Sequence, residues 1–182
     1  MRKLLVRTAV VLIAAVPLLV AGANAREQIR APDARARASS VALVVYQNLP
    51  GGAAILSGNY KEGLEKSLAA VERAPSRHAM ELATNICAAR VKLGELDAAN
   101  ESCESALAGR PPAGTAWSLK QYRAVAHVNH GVVHLVQGDR EFAIQEFSRA
   151  RNLFPSLGVA FSNRSLAQDM MRKPHVIVGD AL

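Results

Sequence analysis

Residues Ala124–Pro155 read AVAHVNHGVVHLVQGDREFAIQEFSRARNLFP. The apolar positions fall at helical spacing on both sides of Gln137-Gly138-Asp139, so the stretch predicts two amphipathic helices joined by a tight turn. Gly138 supplies the positive φ such a turn asks for. Pro155 cannot continue the second helix and ends it.

The same frame occurs three times. Gly58, Gly94 and Gly138 each stand 17 residues before Pro75, Pro111 and Pro155. Five residues after each glycine comes a small residue, Gly63, Ala99 or Ala143. Five residues before each proline comes Ala70, Ala106 or Ala150. Small residues at fixed places on a second helix let its partner approach closely. The predicted second helices are 61–72, 97–108 and 141–153.

These units resemble tetratricopeptide (TPR) repeats, helix–turn–helix units of about 34 residues. The resemblance covers roughly Ala53–Pro155. The last unit matches at Asn129, Gly131, Gln137, Gly138, Asp139, Ala143, Ile144, Ala150 and Pro155. The middle unit matches at Asn85, Gly94, Asp97, Ala99, Ala106, Leu107 and Pro111, and the first at Tyr60 and Ala70. The fold implied is all-α, a short right-handed TPR-type solenoid with a C-terminal capping helix. Its parts are a degraded repeat over 44–77, a repeat over 80–113, an extended repeat over 115–157 and the cap over 158–172, together a domain of 41–172. Pro50-Gly51 falls where the first unit's leading helix belongs, so that helix should be short.

The steps between glycines are 36 and 44 residues rather than 34. The long step inserts PPAGTAWSLK, which predicts one extended helix over 115–137 with Thr115 as its N-cap. Trp117 and Tyr122 lie on its added turns, where they either cover a neighbouring unit or meet a partner. Ser39–Tyr46, SSVALVVY, is the most β-prone run after the leader. It is a short strand or, as the helical surroundings favour, a helix of a degraded repeat. The tail HVIVGDAL over 175–182 is either loose or paired with it.

Met1–Ala25 has the layout of a cleavable secretory signal: Arg2, Lys3 and Arg7, then the apolar run TAVVLIAAVPLLV, then Ala23-Asn24-Ala25. The apolar run is shorter than a membrane span and holds Pro17. The expectation is export to the periplasm or beyond, with no membrane span after cleavage and a disordered basic leader over 26–40.

The full chain of 182 residues has 22 Lys and Arg against 15 Asp and Glu. Losing the three basic residues of the signal leaves 19 against 15. No basic stripe interleaved with aromatics is present, so nucleic acid is not an expected partner. No nucleophile elbow, phosphate loop or dinucleotide fingerprint occurs, and the expectation is a non-enzyme without a cofactor.

Two clusters invite chemistry. His127, His130 and His134 share one helix face and would suit zinc or copper, making a small periplasmic metal-binding protein the alternative function. In the repeat register the same positions pack the first helix on the second. Cys87 and Cys103, the only cysteines, fall by that register on facing positions of the middle helix pair. They form a disulfide in an oxidising compartment or remain buried thiols. A bridge closing that loop stabilises by about 3 kcal/mol.

The resemblance implies protein or peptide binding in a concave groove lined by first helices. Its positions here are Thr84, Asn85, Ala88, Val91 and Lys92 in the middle unit. In the last unit they are Val128, Asn129, Val132, Leu135 and Val136. Asn85 and Asn129 take the place where family members hydrogen-bond a ligand backbone. The expected role is an interaction scaffold of the bacterial cell envelope.

Overall fold

The computed structural model describes residues 41–73, 78–109 and 116–172. The signal segment, the basic leader, the tail, Pro75, Pro111 and Thr115 lie outside the described residues. The helices are α1 Gly52–Leu56, α2 Tyr60–Arg73, α3 Ala79–Leu93, α4 Leu96–Ala108, α5 Ala116–Gln137, α6 Arg140–Leu153 and α7 Gly158–Arg172. Each helix packs on the next, and the first helices α3, α5 and α7 also meet side by side.

The three predicted turns are built alike. Gly58, Gly94 and Gly138 have φ of 85°, 81° and 100°. Each glycine donates its N–H to the carbonyl three residues back (Ile55, Val91, Leu135). The next residue donates to the carbonyl five back (Ala54, Arg90, His134). This pair of bonds satisfies carbonyls a helix end would otherwise leave open. A side chain at these glycines would be strained, which is why the sequence keeps repeating them.

The small residues do what their spacing predicts. Gly63 lies so close to α1 that an added Cβ would stand 2.4 Å from Ile55 Cγ1. Ala99, Ala106, Ala143 and Ala150 are fully buried between helices. The leading helix of the first unit is short, five residues in α1. The extended helix is 22 residues long in α5, and the helix after Pro155 is α7.

One expectation is overturned. Residues 41–46 form neither a helix nor a strand of a sheet. They run extended along the first helices as a strap, and turn into α1 through residues 47–51. In the turn Leu49 N–H bonds Tyr46 O, and Gly52 N–H bonds Leu49 O. An apolar run of this length has no helical periodicity to enforce a helix. It is the groove, with polar groups waiting for an extended backbone, that selects the conformation.

Candidate functional site: a groove that grips an extended backbone

α3, α5 and α7 present one asparagine each to the same surface. Asn163 Oδ1 accepts from Ala42 N–H at 3.1 Å, and its Nδ2 donates to Ala42 O at 2.7 Å. Asn129 treats Val44 the same way, at 2.8 Å for both bonds. Asn85 treats Tyr46 likewise, at 2.7 Å and 3.0 Å. Each amide therefore satisfies both backbone groups of one strap residue, and every second residue is gripped. The spacing follows from the extended chain, whose alternate residues direct their backbone groups to the same edge. Asn129 Nδ2 also reaches Thr84 O at 3.4 Å, tying α5 to α3 beneath the strap.

The strap's side chains alternate with the same period. Val41 is buried in the cluster that contains Cys87, Val91, Val132, Leu135 and Val136, and Leu43 packs against that cluster. Val44 turns to the opposite side, against the cluster of Ala124, Val128, Ala150 and Ala160. The Tyr46 ring meets that of Tyr122 in a tilted contact, with centroids 5.8 Å apart and planes at 35°. Burial, with Glu81 and Tyr122 adding to it, holds the Tyr46 phenol well above its usual range.

The positions named from the sequence thus gather under the strap. Asn85 and Asn129 bond it. Val128, Val132 and Val136 belong to the apolar clusters it packs into. Thr84 is buried, its hydroxyl bonded to Met80 O. Ala88 and Lys92 line a cleft of about 170 Å³ with Leu43, Val45, Ile55, Leu56 and Tyr60. Burial lowers the Lys92 ammonium from its ordinary value. Sequence reasoning missed Asn163 and took α7 for a cap alone. The signal was present, because Asn163 follows Asn129 by 34 residues, one repeat. The low similarity of α7 to the earlier units hid it.

The His stripe faces α6 as a polar hub. His127 Nδ1 lies 2.6 Å from Glu146 Oε2, and His130 Nδ1 lies 3.3 Å from the same oxygen. His130 Nε2 meets Asn100 Oδ1 at 3.1 Å, and Arg149 pairs with the other carboxylate oxygen. Burial works to raise the Glu146 pKa. The hydrogen bonds from His127 and His130 outweigh it and hold the carboxyl well below its usual range. His134 lies on the Phe142 ring, 5.5 Å between centroids, with Asp139 Oδ2 at 3.9 Å. Burial, with His130 beside it, lowers the His134 pKa. His127 Nδ1 and both ring nitrogens of His130 are taken up by protein groups, whereas the buried His134 Nδ1 has no hydrogen-bond partner among the described residues. Among the described residues no group of three or more His, Cys, Asp and Glu is arranged to hold a metal ion.

Cys87 and Cys103 are disulfide-bonded, with Cα atoms 5.3 Å apart, and join α3 to α4. Trp117 stands edge-on to Phe154 at 5.1 Å and is 62% exposed, so it covers little of a neighbouring unit. Tyr122, further along the same helix, is the residue of the extension that meets the strap.

Helix pairs with glycine turns, small residues at their crossings and an asparagine ladder on the concave side describe one fold. The chain folds as a TPR solenoid. Among solved structures it is similar to the second TPR domain of the human RPAP3 protein, determined in complex with the HSP70 peptide SGPTIEEVD. The identity is 17%, the match covers 78% of this chain and 97% of that one, and the TM-score is 0.52. No protein-family model and no curated protein matches the chain. Among the described residues no helix is long and apolar enough to cross a membrane.

Proposed function

We propose that this chain is a non-catalytic protein-interaction scaffold of the bacterial cell envelope, exported by its N-terminal signal, which binds a peptide or partner protein on its concave face. The observation that carries the reading is the ladder of Asn85, Asn129 and Asn163. It is a device for holding a polypeptide by its backbone, and it is seen holding one. Backbone recognition takes an extended segment whatever its sequence, and the apolar walls then choose the side chains. The solved TPR domain bound to a peptide is in keeping with this use of the fold. Here the floor of the groove carries the chain's own strap, so a partner meets a concave face of which residues 41–46 are part.

Crosslinking and pull-down from a bacterial envelope with the tagged whole chain tests the reading. A partner crosslinked to α3, α5, α7 or the strap is the expected result. Recovery of nothing above an unrelated exported protein sinks it.

A further inference from the structure

The strap has two edges, and among the described residues only one is hydrogen-bonded. The N–H and C=O groups of Ala42, Val44 and Tyr46 point to the groove floor and are bonded by asparagines. In an extended chain the groups of the intervening residues point the opposite way. Those of Leu43 and Val45 are therefore turned out toward the mouth of the groove. Among the described residues nothing hydrogen-bonds to them. Exposed strand edges are commonly blunted by charge or proline, and residues 41–46 contain neither. Beside this edge lies the cleft of about 170 Å³ between Leu43, Val45, Ile55, Leu56, Tyr60, Ala88 and Lys92. Leu56 on its rim is 56% exposed.

We propose that the outward edge of Leu43–Val45 is a docking edge for an extended segment of a partner protein, which adds as a second strand and seats an apolar side chain in the cleft beside Val45. The proposal rests on the interaction reading above and specifies how the partner is held. A strand added at that edge continues the ladder the asparagines begin, so the new interface is continuous with the strap–groove interface. Its side chains alternate in register with the strap's. Every second one therefore falls on the face of Leu43 and Val45, where the cleft opens. Main-chain bonds supply affinity and the cleft supplies selectivity for an apolar residue. The strap is thus an adaptor: it is locked to the solenoid along one edge and offers the other.

Amide hydrogen exchange on the whole chain tests this, with a VALVVY peptide bearing terminal lysines as the probe. Without probe, the amides of Ala42, Val44 and Tyr46 should exchange slowly and those of Leu43 and Val45 fast. Probe should slow Leu43 and Val45 at least tenfold and leave the other three unchanged. Leu43→Pro, which removes one outward N–H and no asparagine bond, should weaken probe binding at least tenfold. Leu56→Asp, an exposed change that leaves the strap intact, should do the same. If the probe instead speeds exchange at Ala42, Val44 and Tyr46, it has displaced the strap and the edge proposal is wrong. Absence of binding overturns it as well. So does protection of Leu43 and Val45 that appears without probe and grows with protein concentration, since a second copy then takes the edge. If Leu43→Pro captures the same envelope partner as the unaltered chain, the edge fails while the interaction reading stands.

Discussion

The middle helix pair, α3–α4, and the last pair, α5–α6, share a frame and differ in what joins them. Displacing the middle pair by 44 residues superposes Asn85 on Asn129, Gly94 on Gly138, Cys87 on Gly131 and Cys103 on Phe147. In the middle pair the facing positions are covalently joined through the sulfurs. In the last pair the same positions are a glycine and an aromatic ring, so close that a Cβ on Gly131 would stand 2.7 Å from Phe147 Cε1. A second pair of positions diverges in the same way. Arg90 donates to Ser102 Oγ at 2.7 Å in the middle pair. His134 and Glu146 occupy those places in the last, where the carboxylate gathers His127 and His130 instead. The frame sets how near two helices come. What fills the contact is free to be a bond, a ring or a charge cluster.

Phe147→Ala attacks the last pair at its centre. The ring is fully buried, and such truncations cost about 3–5 kcal/mol. Denaturant unfolding should show a larger loss than removal of the disulfide or of any ladder asparagine. A loss under about 1 kcal/mol, well short of that range, would mean that the Gly–Phe contact does not hold the pair.

Removing the bridge attacks the middle pair. Cys103→Ser, or a reductant on the unaltered chain, should lower stability by about 3 kcal/mol through the loop of separation 16. The sharper version exchanges the solutions. Cys87→Gly with Cys103→Phe carries the last pair's contact into the middle pair. It should fold with a Tm indifferent to reductant, and a chain that no longer folds would show the two contacts are not interchangeable.

Asn129→Ala tests what both pairs have in common. It leaves Val44 N–H and C=O without partners, and an unsatisfied buried polar group costs about 1–3 kcal/mol. Asn163→Ala should cost less, because Ala42 is exposed and water can replace the amide. Equal losses, read from thermal unfolding, would contradict this ordering.

The smallest expected effect is in pH. The folded pKa of His134 is lowered, so the unfolded chain binds its proton first. The stability it contributes is complete above the unfolded value of about 6.5 and declines as pH falls. Glu146, also lowered, adds a loss that begins below about pH 4.5. Both therefore weaken the last pair in acid, while the disulfide of the middle pair does not titrate. His134→Gln should flatten the upper part of the profile, near the unfolded His value of about 6.5. An unchanged profile would detach the effect from His134.

Much of the fold was legible because turns and close crossings are local demands. Positive φ at Gly58, Gly94 and Gly138 and tight approach at Gly63, Ala99 and Ala143 admit few residue types, and the chain repeats them at fixed distances. Asn85 and Asn129 were legible through the same register. Asn163 could have been reached by counting 34 residues from Asn129, but nothing local marks it. The polar hub was half legible: the stripe of histidines is visible in sequence, whereas Glu146, on the next helix, is brought to it only by packing.

The sequence by itself determined a helical-repeat solenoid, where its helices turn, and two of the three asparagines on its concave side, Asn85 and Asn129. Only the tertiary structure decided what lies in that groove. VALVVY has the composition of a strand and the setting of a helix, and its own propensities favour neither decisively. Three asparagines, 39, 85 and 121 residues distant from the backbone groups they bond, offer paired donors and acceptors at the repeat of an extended chain. That match of spacing exists only once the helices are stacked, and it draws residues 41–46 into the groove as a strap.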